Sequence, residues 1–200
     1  EPGTGFIEAD SVAALLAAIE AEPDADLLLL DLNMPGAQGF NALAHVRGSR
    51  PGLPVAIVSA DDDPQTIAAA LRYGAQGFIS KSTEAAQIGR AVEAVLAGEI
   101  YTPPGYHPPR GVPSGDEDLL VARRIADLTP QQFRVLGALC SGQLNKQIAY
   151  DLDVSEATVK AHVTAILRKL GVATRTQAVL AAGRLATDRA RVRPPPEEAE

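Results

Sequence analysis

Residues 155–170 read Ser155-Glu156-Ala157-Thr158-Val159-Lys160-Ala161-His162-Val163-Thr164-Ala165-Ile166-Leu167-Arg168-Lys169-Leu170. Ser155 predicts a helix N-cap, because its hydroxyl can accept from an unpaired N–H of the first turn. Behind it, Val159, Val163, Ile166, Leu167 and Leu170 recur at helical spacing and form one apolar stripe. The opposite face carries Ala157, Lys160, Ala161, Thr164 and Arg168. Small side chains there permit close approach to a groove, and the cations suit phosphates or base edges. Upstream, Thr129, Pro130 and Gln132 spell the start of another helix, with Gln132 completing a capping box. Phe133, Leu136 and Cys140 share one side of it, and Gly142 ends it. A short helix from Asn145 to Leu152 follows, with Asn145 as cap and Ile148, Ala149 and Leu152 inward. Asp153-Val154 then makes a tight turn. Helix, tight turn and cationic third helix predict an all-α helix-turn-helix domain over 128–185.

Charge separates this segment from the rest. Residues 128–185 hold seven Lys or Arg against three acids, a net of +4, in a chain of net charge −7. Residues 1–98 hold five basic and thirteen acidic side chains, a net of −8. A basic module inside an acidic chain is a local electrostatic footprint.

At these residues the chain resembles the LuxR-type DNA-binding module. The match runs from Asn145-Lys146-Gln147-Ile148-Ala149 through residues 155–163 and 166–172 to Arg175-Thr176-Gln177-Ala178-Val179. The resemblance implies that Lys160, Ala161 and Thr164 point into the major groove of double-stranded DNA. It implies that Lys146, Thr158, Lys169 and Arg175 hold the phosphate backbone, beside Arg168 on the same cationic face. A helix from Arg175 to about Gly183 would form a homodimer contact through Ala178, Ala181 and Ala182. Thr164 stands where relatives often carry a longer polar residue.

The first half alternates short apolar runs with helical stretches. Leu27-Leu28-Leu29-Leu30 is apolar throughout, as a strand covered on both faces must be, and ends in Asp31. Val55-Ala56-Ile57-Val58 ends in Ser59, and Gly77-Phe78-Ile79-Ser80 ends in Lys81. Helices are predicted over residues 11–20, 40–47, 64–73 and 84–97. This pattern predicts an α/β doubly wound parallel sheet over residues 1–98. Asp31, Ser59 and Lys81 would then converge on the edge where open α/β sheets bind ligands. A carboxylate nucleophile, a hydroxyl and an ammonium suit phosphoryl transfer to Asp31.

Asp31-Leu32-Asn33-Met34-Pro35-Gly36, Ser59-Ala60 and Lys81 resemble the receiver domain of two-component response regulators, which has a flavodoxin-like fold. With the C-terminal module, the whole is similar to the NarL/FixJ family. The resemblance implies phosphorylation of Asp31 by a sensor histidine kinase. It also implies Mg²⁺ held by Asp31 and the backbone carbonyl of Asn33, Ser59 as switch hydroxyl and Phe78 as switch aromatic. The family's receiver opens with a strand ending in an acidic pair that completes the metal site. Here Gly5-Phe6-Ile7-Glu8-Ala9 already looks like the family's second strand, so the first strand and helix are expected to be missing. Glu8 and Asp10 are poor substitutes for the pair, which puts Mg²⁺ in doubt. The chain is read as an N-terminally incomplete regulator; the alternative is a degenerate receiver on a phosphorylation-independent transcription factor.

Residues 99–127 are rich in Pro and Gly and read as a linker, with a short helix expected over 117–126. Residues 186–200 read as a disordered tail. Asp61-Asp62-Asp63 are expected to cap the helix at Pro64 rather than to hold a metal. Phosphatases that form an aspartyl-phosphate place a second carboxylate two residues on, where this chain has Asn33, so no enzyme is expected. Ligand-sensing regulators need aromatic pockets, and aromatics are only 4% here. One cysteine forms no disulfide framework, His45, His107 and His162 do not cluster, and no run reaches membrane-span length. The expected setting is the cytoplasm.

Overall fold

The structure, a computed structural model, describes residues 5–37, 39–109 and 116–185. Three parallel strands, β1 (Leu28–Asp31), β2 (Val55–Ser59) and β3 (Gly77–Ser80), form a sheet in the order β1-β2-β3. Around them lie α1 (Val12–Ala21), α2 (Asn41–Ser49), α3 (Pro64–Arg72) and α4 (Ala85–Leu96). Leu30 pairs in register with Ile57, and Ile57 with Phe78. That row is buried in one core with α1, α2 and α3. On the other face Ala56 and Ile79 pack under Ala91 and Val95 of α4. The short runs are apolar throughout because both faces are covered. Gly77 is where the sheet lies tightest against α4, since a Cβ there would stand 2.8 Å from Val95 Cγ2.

The three strands are the three predicted from sequence. The expected strand over 5–9 does not form: no strand is assigned there, and Phe6 is 84% exposed. The linker also departs from expectation at its start. Tyr101 bridges to Gly77, its carbonyl accepting from Phe78 N–H at 2.9 Å and its N–H donating to Gln76 O at 3.0 Å.

The second half holds α5 (Asp116–Ala126), α6 (Pro130–Cys140), α7 (Asn145–Asp151), α8 (Glu156–Leu170) and α9 (Arg175–Gly183). The Thr129–Gln132 capping box forms on α6, and Ser155 Oγ accepts from Thr158 N–H at 3.1 Å on α8. Asn145 is not the cap of α7 but its first residue. The Leu144 N–H at the cap position donates to Gln147 Oε1 at 2.7 Å instead. Asp153 takes the tight turn at φ +52°, and Gly171 ends α8 at φ +66°. The expected tail over 186–200 lies outside the described residues.

α2 joins the halves. Asn41, Ala42, Leu43, Ala44, His45 and Val46 are consecutive and all buried, so the first part of this helix is enclosed on every side. It packs against α5, and a single apolar core runs from Val12 to Leu185.

Candidate functional site

Asp31 occupies the carboxyl end of β1, where register sets it opposite Val58, one residue before Ser59. Lys81 follows β3 directly, and its N–H donates to Ser59 O at 2.8 Å. From there its ammonium reaches Asp31 Oδ2 at 2.6 Å, while Asn33 N–H donates to Asp31 Oδ1 at 2.9 Å. The sheet edge thus brings together Asp31, Asn33 and Lys81. The carboxylate and ammonium are partly exposed, at 32% and 43%, so the carboxylate is accessible. Ser59 lies beside them but is fully buried, with its hydroxyl accepting from Asp61 N–H at 3.1 Å. Phe78 is likewise buried in the sheet core.

The acidic run after Ser59 does structural work. Asp63 Oδ1 accepts from Gln65 and Thr66 N–H and caps α3. Partial burial acts to raise its pKa, but the bonds from Thr66, Gln65 and Asp61 outweigh that and hold it below the usual value. Asp62 accepts from Ser80 Oγ at 2.7 Å, a partnership the sequence reading missed. Among the described residues, no group of three or more His, Cys, Asp or Glu side chains is placed to hold a metal ion. The only carboxylate of the implied Mg²⁺ site, Asp31, already faces Lys81 and Asn33 N–H. Among the described residues, then, Asp31 is not joined by two further His, Cys, Asp or Glu side chains in a set that could hold Mg²⁺.

In the C-terminal domain the predicted stripe of α8 turns inward: Val159, Ile166 and Leu170 are buried, Val163 and Leu167 partly so. Ala157, Thr158, Lys160, Ala161, Thr164 and Arg168 are exposed together on the outer face. Thr164 Oγ1 donates back to Lys160 O at 3.0 Å, so its hydroxyl proton is turned to the helix backbone. Lys146 stands exposed on α7.

Two implied phosphate anchors are engaged inside the domain instead. Lys169 Nζ donates to Asp127 O at 2.7 Å and to Gln132 Oε1 at 2.8 Å, tying α8 to the α5–α6 turn. The Arg175 guanidinium donates to the carbonyls of Leu139 and Gln143 at the end of α6. The residues expected to form a dimer face need a similar correction. Ala178 and Ala182 are fully buried, and Ala182 O accepts from Asn41 Nδ2 at 3.1 Å. The exposed apolar residue of α9 is Leu180. Burial pushes the Cys140 thiol up to about 12 against the opposing pull of Arg175, as befits a packed thiol rather than a nucleophile.

Sequence reading also missed the contact surface on α2. His45 stacks on Phe133 of α6 with ring centroids 4.3 Å apart and planes 2° from parallel. Asn41 and His45 lie one turn apart on α2, ahead of Arg47 and Ser49.

Comparison with known proteins follows this division. Residues 3–93 match the response regulator receiver domain, and residues 126–182 match the bacterial regulatory proteins of the luxR family. The glycerol metabolism activator of Pseudomonas putida is 44% identical over 186 residues, covering 91% of this chain and 84% of that protein. The nitrate/nitrite response regulator protein NarL of Escherichia coli (strain K12) is 31% identical over 157 residues, covering 78% and 73%. Among solved structures, RcsB of Salmonella enterica serovar Typhimurium, bound to promoter P1flhDC, aligns with a TM-score of 0.45 at 22% identity, covering 88% and 83%. No helix among the described residues is long and apolar enough to cross a membrane. The chain belongs to the response regulators that join a receiver domain to a LuxR-type DNA-binding domain and control transcription through phosphorylation.

Proposed function

We propose that Asp31 is the phosphoacceptor, that a sensor histidine kinase is the donor, and that the chain binds double-stranded DNA as a homodimer through α8. The observation that carries the DNA half is the exposed outer face of α8, where Lys160 and Arg168 flank the small residues Ala157 and Ala161. A helix so built can lie in a major groove while its buried stripe keeps it rigid. The Lys81–Asp31 pair supports the receiver half, since the ammonium stands where it would meet the oxygens of a phosphoryl group on Asp31. Its place of work is the cytoplasm, where the DNA is, and it acts as a regulator rather than an enzyme.

The residue roles divide by position. Lys160 reads bases and Arg168, Lys146 and Thr158 contact the backbone. Ala161 and Thr164 permit close approach, and Lys169 and Arg175 chiefly hold the domain together. Lys160→Ala should weaken binding by about 1–3 kcal/mol and relax preference at one base position. Arg168→Ala should weaken all sequences alike and lower the salt slope by about 1. Equal loss of sequence preference in both variants would overturn these roles.

A second reading is favoured by one observation: among the described residues, no group of three or more His, Cys, Asp or Glu side chains that includes Asp31 is placed to hold a metal ion. On that reading the receiver is degenerate and DNA binding needs no phosphorylation. Incubation with acetyl phosphate and Mg²⁺ separates the two. An acid-stable but base- and hydroxylamine-labile label on the wild type, absent in Asp31→Asn, supports the first reading; no label supports the second.

A further inference from the structure

Lys81 reaches Asp31 from a turn that is tied down on both sides. Its own N–H donates to Ser59 O at 2.8 Å, and Thr83 N–H donates to Ser80 O at 3.0 Å. A further tie runs through side chains to the acidic run after β2. Ser80 Oγ donates to Asp62 Oδ2 at 2.7 Å and lies 2.7 Å from Ser82 Oγ. Ser82 N–H also donates to Ser80 Oγ, at 3.3 Å. An ionised carboxylate can only accept, and Ser80 has a single hydroxyl proton to give. That proton goes to Asp62, so the Ser82 hydroxyl must donate to Ser80. The chain of bonds therefore has one direction, from Ser82 through Ser80 to Asp62, and it ends on a charge.

Lys81 is the residue between the two serines. Ser80 is only 5% exposed, so little water competes for its hydroxyl, and a bond from there to a carboxylate is stronger than a neutral one. Asp62 has no share in capping α3, which Asp63 does through Gln65 and Thr66. Adjacent carboxylates are thus divided between the helix and the turn. Lysine carries its ammonium on a flexible four-carbon stem, so the place of the charge depends on where the stem begins. The Lys81 side chain is 43% exposed, so packing alone does not aim it. The backbone of the turn does. Among the described residues Lys81 is ion-paired with Asp31 and not with Asp62, so Asp62 reaches it through Ser80.

We infer that Asp62 is a positioning residue: through Ser80 it fixes the 80–82 turn so that the Lys81 ammonium stands at Asp31. This rests on the reading of Asp31 as the phosphoacceptor and adds the group that prepares its counter-charge. In the transfer an Asp31 oxygen bonds to phosphorus while the bond to the donor's leaving group breaks. Lys81 keeps its proton throughout and neutralises the phosphoryl oxygens. Asp62 touches none of the reacting atoms; it governs how often Lys81 is in place when a donor arrives.

The test uses the full chain and three variants, Asp62→Ala, Ser80→Ala and Asp62→Asn, the last of which keeps an oxygen that can accept from Ser80. A carbodiimide reads the approach of Lys81 to Asp31. It activates a carboxylate, a touching amine displaces the activating group as a urea, and an amide then joins Asp31 to Lys81. Peptide mass spectrometry measures the initial yield of that amide. Each alanine variant should lower the yield by about fivefold, the population change that loss of one such hydrogen bond brings, and Asp62→Asn should restore most of it. The rate of labelling by acetyl phosphate and Mg²⁺ should fall in the alanine variants and recover in Asp62→Asn. An unchanged yield in either folded alanine variant overturns the inference, and should one of them fail to fold, the other decides. Asp62→Asn joining Asp31 to Lys81 as poorly as Asp62→Ala overturns it as well, since charge rather than the hydrogen bond would then set Lys81. A lowered yield with an unaltered labelling rate, or no amide in the wild type, also sinks it. If the wild type takes no label, the phosphoacceptor reading fails by itself, while the amide yield still decides whether Asp62 places Lys81.

Discussion

His45 is fully buried between the two halves, and neither ring nitrogen has a hydrogen-bond partner. Burial lowers its pKa from the usual 6.5, and the nearby Ile125 carbonyl offsets only part of that. No charged neighbour contributes to the shift. On the helices packed against α2, Arg123 and Arg134 are exposed, and Arg124 donates to Leu170 O. The consequence for stability has a definite sign. Well above pH 6.5 the ring is neutral in the folded and unfolded chain alike, so pH has no leverage on it. As pH falls through 6.5 the unfolded chain takes up the proton first, and the folded chain loses stability until its own lowered value is passed. The melting temperature should therefore drop by several degrees between about pH 7.5 and about pH 5.5. His45→Phe keeps a ring against Phe133 and removes the titration, so most of that drop should disappear. An undiminished drop in the variant would assign the effect to other groups.

Among the elements, α8 depends most on how it ends. Gly171 adopts φ +66°, a conformation that side chains disfavour, and its N–H caps the helix on Leu167 and Arg168. The same position is crowded, since a Cβ there would stand 2.9 Å from Arg124 Nη1. Arg124 Nη1 itself donates to Leu170 O at 2.7 Å, so α5 also caps α8. Gly171→Ala should cost about 1–2 kcal/mol from the backbone alone. Displacement of Arg124 adds to that by leaving the Leu170 carbonyl without its donor. Denaturant unfolding should show the midpoint falling with little change in slope. Arg124→Ala alone should give a smaller loss. If the Gly171→Ala chain is as stable as wild type, the left-handed end of α8 is not required.

At the scale of the whole molecule, two families of domain have become one folded body. Residues of the sheet core, such as Leu30, Ile57 and Phe78, belong to the same buried cluster as Ile125, Phe133, Ile166 and Leu185. Cores that share packed side chains unfold together, because neither can lose its neighbours cheaply. A calorimetric scan of the wild type should show a single transition. Gly48→Ala, whose Cβ would stand 2.7 Å from the Ala126 Cα and so wedge α2 from α5, should split it into two, with the helical domain unfolding separately. Two well-resolved transitions in the wild type would mean that the shared core contributes little cooperativity.

What the sequence determined by itself is local. The caps at Thr129 and Ser155, the buried stripe of α8 and the three apolar strands depend on neighbours a few residues apart, and periodicity exposes such neighbours directly. The convergence of Asp31 and Lys81 was also legible, because parallel strands place their carboxyl ends on one edge. Tertiary structure decided what those groups are free to do. The family resemblance implies phosphate contacts for Lys169 and Arg175, yet their donors reach carbonyls 42 and 36 residues away. Asn41 finds Ala182 across 141 residues, and that pairing places the end of α9 in the grip of the receiver. Local sequence carries no trace of such partners, since hydrogen bonds across the fold depend on how whole helices pack. Net charge was no guide either. Receiver and DNA-binding domain have opposite signs, but burying apolar surface outweighed a screened attraction between exposed charges. That balance set α2, rather than the outer face of α8, at the boundary between the two domains.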